Sequence, residues 1–385
     1  MRLVATRRAA GLQLAQDVWD GRPSSVPLVR AGAKLTPEWS EALLSAGVHA
    51  VFIEDELSKG IEVEPALSAS VRAEAQRGIS QAFKAAPAAL ERGEPLGDQA
   101  LGQLESVARL IAEQVSRARD AVVAFSDLGC ADAYTLQHSI NVTVIGLLVA
   151  RRLFNDIGRL DGLSRRSFER VDDAIVRLGV GLLLHDIGKL ALPKQLLERN
   201  GPLDAEEWEL MRQHTLWGYG LVSQSRLISY HGKAVIRSHH ERWDGSGYPD
   251  GLARERIPEF ARIAAVADVY DAVTSERHHQ RAASHAAGHA TIVAGSGTQF
   301  DPQVVDAFRR VIAPYPPGTE VALRDGRRAL VVSVPETSLH RPEVRIFAAR
   351  DGEPIEPVDV QLAERPELSI APAAPVALAG TAYAA

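Results

Sequence analysis

Residues 182–189 read Leu182-Leu183-Leu184-His185-Asp186-Ile187-Gly188-Lys189, an apolar run that stops on an imidazole and a carboxylate, followed by a glycine and a lysine. Apolar residues in such a run belong inside a core, so the helix they close carries His185 and Asp186 with it. Neighbouring side chains on a helix point ~100° apart, so the pair can approach one metal ion from two directions, or the carboxylate can bridge two ions. A lone His-Asp dipeptide is more often a surface or core pair with no catalytic meaning. Its weight comes from what surrounds it.

Ten of the twelve histidines fall between His138 and His289, and only His49 and His340 lie outside. The single cysteine, Cys130, excludes a disulfide framework and any thiolate zinc or iron–sulfur site, so a metal would be held by His, Asp and Glu. His239-His240 follows the apolar Ala234-Val235-Ile236 and leads into a glycine-rich run, and two adjacent imidazoles there are costly to bury unpaired. Asp268 lies in the apolar stretch Ile263–Tyr270, where a carboxylate needs a cation or hydrogen bonds; a bond to a neighbouring helix would satisfy it as well as a metal. His214, taken singly, reads as a satisfied surface histidine.

The chain has 385 residues, with 43 basic and 49 acidic side chains (net charge −6) and a hydrophobic fraction of 46%, the profile of a globular protein of two to three domains. Lacking a broad basic footprint, it is not expected to bind a nucleic-acid polymer. The longest apolar candidate, residues 140–150, is too short to span a bilayer and contains Asn141 and Thr143, so no membrane association is expected. Arg2, Arg7 and Arg8 interrupt the stretch a signal peptide would need, and the chain reads as cytoplasmic.

The expected fold class is mainly α, with a small mixed α/β N-terminal module and a small β C-terminal extension. Residues 1–65 read as the module: apolar runs broken by Gly21, Pro23 and Gly32, a helix capped by Thr36 with Pro37 at its first position and Gly47 at its end, then a strand over Val48–Ile53. Residues 66–126 read as a helical linker with a loop at Pro87–Gly97 and a long helix over about residues 98–125. Its stripe of Leu101, Leu104, Val107, Ala108 and Ile111 suits core packing first, and otherwise a homodimer contact or signal relay. Residues 127–313 form the strongly helical body that holds the chemistry. Residues 314–366 read as short strands with two-residue hairpin turns at Asp325-Gly326 and Asp351-Gly352, and the Ala/Pro-rich residues 367–385 as a disordered tail.

Taken in order, His138, His185-Asp186, His214, His239-His240 and Asp268 resemble the HD superfamily of metal-dependent phosphohydrolases and, within it, the HD-GYP family. The likeness runs from His138-Ser139-Ile140-Asn141-Val142 to Gly297-Thr298-Gln299-Phe300-Asp301-Pro302. It takes in Gly247-Tyr248-Pro249 and Asp268-Val269-Tyr270-Asp271-Ala272-Val273-Thr274-Ser275. It implies an HD-superfamily helical bundle that hydrolyses the bacterial second messenger cyclic di-GMP to pGpG, with further cleavage to GMP in many members. It also implies two metal ions, one on His138, His185, Asp186 and Asp268, the other on His214, His239 and His240, with Asp186 and a hydroxide bridging them. Seven nitrogen and oxygen ligands without sulfur suit iron or manganese, and zinc is compatible. Some members bind a third ion through a glutamate one turn before the first histidine; this chain has Tyr134 there, so two ions are expected and Tyr134 is expected to pack near the pocket.

The same resemblance gives Asp186 and Lys189 catalytic roles and matches Lys189 and Arg277 to positions that contact substrate phosphates. After Arg277 the run His278-His279-Gln280 departs from the family's basic segment. Gly247, Tyr248 and Pro249 are expected in the pocket wall, and because the family associates this motif with diguanylate cyclase domains, the loop is a candidate partner surface. His231, His278, His279, His285 and His289 receive no metal role. The function is then open to three readings: a cyclic di-GMP phosphodiesterase; an HD hydrolase of another nucleotide or cyclic dinucleotide, motivated by residues 278–280; and a catalytically weak or silent receptor or scaffold. The third fits poorly with seven intact ligand positions, any of which a non-catalytic chain could lose.

Overall fold

The computed structural model describes residues 1–18, 27–117, 134–160, 165–197, 199, 201–275 and 282–377. At the N-terminus, strands β1 (Arg2–Ala5), β2 (Gln13–Leu14) and β3 (Ala50–Glu54) form an antiparallel sheet in the order β1-β3-β2, with Leu3 opposite Phe52 and Leu14 opposite Ile53. Helix α1 (Pro37–Ser45) starts where the sequence places it. Thr36 Oγ1 accepts the Trp39 amide at 3.2 Å, a cap worth about 1 kcal/mol, and Pro37 occupies the first turn, where no amide donor is needed. Leu14, Leu35, Leu43, Val51 and Ile53 close a small core.

Two elements beyond it differ from expectation. Helix α2 (Ala69–Arg92) runs through Pro87, where the sequence predicts a loop. Ala75, Ile79, Ala82, Phe83, Ala86 and Ala89 form one buried face, and burial of that face outweighs the hydrogen bond that proline forfeits. The long helix predicted from residue 98 is broken at Gly102-Gln103 into α3 (Asp98–Leu101) and α4 (Leu104–Arg117), and the predicted continuation past residue 117 lies outside the described residues. The apolar stripe is buried in the main core, which leaves it no exposed face for a partner.

The helical body comprises α5 (Tyr134–Ile157), α6 (Val171–Leu184), α7 (Lys194–Leu197), α8 (Ala205–Arg212), α9 (His214–Val222), α10 (Tyr230–Ser238), α11 (Glu259–Thr274), α12 (His285–Ala294) and α13 (Pro302–Arg309). A short hairpin, β4 (Arg159–Leu160) with β5 (Arg166–Ser167), joins α5 to α6. Residues 137–150 of α5 and 259–273 of α11 are buried throughout, as expected of central helices without an apolar–polar division. α6 packs on α4, α5 and α10, and α5 packs on α11 and α13. Arg262 on α11 meets Asp301 at 2.6 Å with both side chains buried, which ties the Phe300-Asp301-Pro302 turn to the centre. Among the described residues no helix is long and apolar enough to cross a membrane.

Strands β6 (Glu320–Ala322), β7 (Arg328–Ser333), β8 (Glu343–Ala348) and β9 (Pro354–Gln361) follow as an antiparallel meander. Its predicted hairpins exist, but their loops hold three residues instead of two. The Leu323 amide bonds the Arg327 carbonyl across Arg324-Asp325-Gly326, and the Ala349 amide bonds the Glu353 carbonyl across Arg350-Asp351-Gly352. The glycine that ends each loop has left-handed backbone, with φ 94° at Gly326 and 87° at Gly352. Residues 367–377 also depart from the expected disorder. The Arg324 amide bonds the Ser369 carbonyl, Leu368 and Ile370 join the apolar core of the sheet, and the Val376 amide bonds Thr291 Oγ1 on α12 at 2.8 Å. A few apolar side chains in a low-complexity stretch suffice when a matching surface lies within reach. Residues 378–385 lie outside the described residues.

After α6 the chain makes a 3₁₀ turn over Ile187–Ala191 that lies directly against α9. A Cβ at Gly188 would overlap the His214 carbonyl oxygen and lie 2.6 Å from the Gly218 amide nitrogen, so backbone would have to move. Gly188→Ala is expected to lower stability by about 1–3 kcal/mol. Gly220→Ala on exposed α9 backbone, where a Cβ meets nothing within 4 Å, is expected to raise it by roughly 1 kcal/mol. Urea unfolding of the two variants should move the midpoint in opposite directions, and equal shifts would refute the close-approach argument.

Candidate metal centre

Helix termini bring the histidines together. His185 caps the C-terminal end of α6, Asp186 turns out of it, His214 opens α9, and His239 and His240 follow the last turn of α10. His138, near the start of α5, and Asp268, within α11, complete the set. All seven positions predicted as ligands therefore meet in one place, and each side chain is less than a tenth exposed.

The ring orientations are fixed from behind. His185 Nδ1 donates to the Leu182 carbonyl at 2.8 Å, His214 Nδ1 to the Met211 carbonyl at 2.7 Å, and His239 Nδ1 to the Val235 carbonyl at 3.0 Å. A carbonyl can only accept, so Nδ1 holds the proton and Nε2 presents a lone pair inward. The Nε2 atoms of His138 and His185 stand 3.2 Å apart, and those of His214 and His239 stand 3.5 Å apart. Asp186 lies between these pairs. Its Oδ2 is 3.6 Å from His138 Nε2 and 3.3 Å from His185 Nε2, while its Oδ1 is 3.6 Å from His214 Nε2 and 3.8 Å from His239 Nε2. Asp268 Oδ1 is 3.1 Å from His138 Nε2, and its Oδ2 is 3.9 Å from His240 Nδ1.

These atoms fit metal ions. Asp186, His214, His239 and His240 form one group able to hold an ion, and His138, His185 and Asp186 form another. Asp186 Oδ1 and His240 Nε2 are buried with no hydrogen-bond partner. The inward lone pairs of His214 and His239 face one another across 3.5 Å, and with an unpartnered carboxylate oxygen beside them they are satisfied by a cation and not by one another. Among the described residues only nitrogen and oxygen donors are present there.

Electrostatics point the same way. Burial opposes the charge of Asp186, yet Lys189, with Nζ 2.9 Å from Oδ2, and His185 outweigh it and hold the carboxyl well below the usual carboxylate range. Burial also opposes the imidazolium of His138, but Asp268 and Asp271 overcome it and push this histidine up to about 9. His214 goes the other way, lowered by burial to about 3, and burial together with its histidine neighbours lowers His240 as well.

Other expected residues are placed as follows. Lys189 lies at the edge of the cluster, in the 3₁₀ turn. The Tyr248 ring is buried and stacks on His240 at 4.8 Å, with the Trp208 edge at 6.0 Å and the Arg212 guanidinium 5.0 Å from the ring centre. Tyr248 thus forms a wall of the centre, and its ring is not offered to a partner; Asp244, Ser246, Asp250 and Gly251 are the exposed residues between 241 and 252. Buried Glu241 holds the loop by accepting the amides of Asp250 at 2.7 Å and Leu252 at 2.9 Å. Arg277, His278, His279 and Gln280 lie outside the described residues, as does the side chain of Tyr134. Sequence reasoning missed Asp271, whose Oδ2 is 2.7 Å from His138 Nδ1, and Asn141 beside it. Their signal is present only as spacing: Asp271 lies three residues after Asp268, and Asn141 three after His138, on helix faces that the fold turns toward each other.

Residues 168–304 match the family model described as HD domain. That segment contains six of the seven ligand positions and the Gly247-Tyr248-Pro249 signature; His138 lies ahead of it. The chain is thus a mainly α protein that is similar to the HD superfamily over this segment, and its motifs are similar to those of the HD-GYP family. It is 36% identical over 246 residues to a cyclic di-GMP phosphodiesterase of Pseudomonas aeruginosa, covering 64% of this chain and 56% of that protein. It is 47% identical over 129 residues to a cyclic di-GMP phosphodiesterase response regulator of Xanthomonas campestris, covering 33% and 34%. Over 124 residues it is 38% identical to a 3′3′-cGAMP-specific phosphodiesterase of Vibrio cholerae, covering 32% and 24%. The chain thus spans about half of the first relative and a third of the second.

Metal-free His138 keeps its proton up to about pH 9, whereas His214 and His240 are neutral near pH 7. Metal loading near pH 7 should therefore release about one proton per chain, and affinity should rise about tenfold per pH unit until about pH 9. The raised value also stabilises the metal-free fold, fully below about pH 6.5 and fading as pH climbs through about 9. Calorimetric titration in buffers of different ionisation enthalpy counts the protons; a count of zero, or of three or more, contradicts this assignment.

Proposed function

We propose that this protein is a metal-dependent phosphodiesterase that hydrolyses cyclic di-GMP to the linear dinucleotide pGpG. The observation that carries the reading is Asp186, whose two oxygens face two separate histidine pairs in a buried, sulfur-free centre. That arrangement supports two divalent ions: one on His138, His185, Asp186 and Asp268, the other on His214, His239, His240 and Asp186. Iron or manganese suits the donor set best, and zinc accepts the same donors. When bound, such a pair supplies water activation and neutralises charge on a phosphodiester.

The chain's own groups prepare this chemistry. The Leu182, Met211 and Val235 carbonyls hold three imidazoles with Nε2 facing inward. Lys189 keeps Asp186 ionised and places an ammonium group at the edge of the centre, where it offsets the charge of an anionic substrate in a chain of net charge −6. Arg277 is the second phosphate contact in this reading. Tyr248 closes the wall beside His240 and limits water there. Hydrolysis breaks one P–O bond of the ring, adds water at phosphorus and returns a proton to the departing 3′ oxygen. A second reading, preference for a mixed cyclic dinucleotide, is favoured by the similarity to a 3′3′-cGAMP-specific enzyme.

Anaerobically purified protein loaded with iron or manganese should convert cyclic di-GMP to pGpG, with the product identified by chromatography and 3′3′-cGAMP compared side by side. Asp186→Ala should lose bound metal and at least 10³-fold in kcat, given the several kcal/mol that metal assistance supplies. Full activity in that variant would refute the assignment of Asp186. Faster turnover of 3′3′-cGAMP would favour the second reading.

A further inference from the structure

We propose that Asp271 is a positioning residue that acts through His138 and makes the two metal positions unequal, so that the position beside His138 fills first. The inference rests on reading the cluster as a two-ion centre. Of the three other histidines whose Nδ1 is held, His185, His214 and His239 all turn it to a neutral main-chain carbonyl. His138 instead turns Nδ1 to a carboxylate, Asp271 Oδ2, at 2.7 Å with both groups buried. A carboxylate in that place fixes the tautomer as a carbonyl does and, in addition, pushes electron density onto Nε2, which strengthens the imidazole as a donor to a cation.

Asp271 is itself tightly held. Its Oδ1 accepts Asn141 Nδ2 at 2.9 Å and Ser275 Oγ at 2.9 Å, while Gln137 Nε2 donates to Asn141 Oδ1 at 2.8 Å and so orients the Asn141 amide. Gln137 and Asn141 come from α5, Asp271 from α11 and Ser275 from the residue that ends it, so the bond to His138 is set by the packing of two central helices. Charge then differs across the centre. The His138 side faces Asp186 Oδ2, which also carries the Lys189 ammonium at 2.9 Å, and Asp268 Oδ1, and it alone has a further carboxylate, Asp271, directly behind an imidazole; the His214 and His239 side faces Asp186 Oδ1, has Asp268 Oδ2 at 3.9 Å from His240 Nδ1, and has neutral carbonyls behind it. A divalent cation gains more at the first position than at the second.

The test is a titration of Mn²⁺ into the metal-free full chain, followed by electron paramagnetic resonance of free Mn²⁺ and by calorimetry, with the melting temperature of each metal-free variant recorded. Wild type is expected to bind two ions in two resolved steps. Asp271→Asn keeps the size and an acceptor but removes the charge; it should weaken the tighter step 10- to 100-fold and leave the weaker step in place. Ser275→Ala, which loosens Asp271 without touching its charge, should weaken the same step by less, and it carries the test if Asp271→Asn melts early. Two unchanged steps in Asp271→Asn, or equal weakening of both, would overturn the proposal while leaving the two-ion centre intact. A wild-type chain that takes up no Mn²⁺ would overturn the two-ion reading, and this inference with it.

Discussion

A single carboxylate, placed out of reach of water between two pairs of imidazoles, constrains the rest of this structure. Burying an ionised group costs several kcal/mol unless it is compensated, and Asp186 has one fixed cation, Lys189, against only one of its oxygens. The architecture around it is what makes the arrangement tolerable. α6 must end at His185 so that Asp186 can turn away from the helix. The following turn must lie against α9 so that His214 reaches the other oxygen, and a glycine at 188 is what lets the two backbones approach. The loop after His240 then folds back, pinned by Glu241, so that the Tyr248 ring covers that histidine.

The cost of holding these groups is borne by apolar helices. Residues 137–150 of α5 and 259–273 of α11 have no polar face to give to solvent, and among their buried polar residues His138 and Asn141 on one and Asp268 and Asp271 on the other face each other across the same seam. Removing one of them would leave its neighbour buried and unpaired, which in a low-dielectric interior costs more than the lost bond. The centre and the core are in this sense one object, since the side chains that would hold a metal also account for where the central helices meet.

Much of this is legible in the sequence. The ordered series of His138, His185-Asp186, His214, His239-His240 and Asp268 carries the site, because that combination of residue types and spacings has few other uses. The Thr36-Pro37 start of α1 is local chemistry and is likewise readable. What escapes is set by packing between distant segments. Pro87 stays helical because of a buried face it does not itself announce, and Asp271 becomes a partner of His138 only after α5 and α11 pack together. Residues 367–377 are ordered by surfaces elsewhere in the chain, although their composition resembles a linker. The three-residue hairpin loops differ from the expected ones by a single residue at each turn, since an Asp-Gly pair marks a turn without stating its length.

The small N-terminal sheet has β1 at its edge, and that edge does not face open solvent: the Leu3 amide bonds the Gly318 carbonyl at 2.9 Å, and Arg345 on β8 reaches the Leu57 carbonyl 288 residues away. An exposed strand edge invites pairing with another chain, and here the cover comes from late in the sequence. During synthesis, the outer edge of β1 is unprotected until residue 318 has emerged. The N-terminal sheet and the C-terminal meander therefore protect each other only when both ends of the chain are present, and the loop that their contact closes contains the whole helical body.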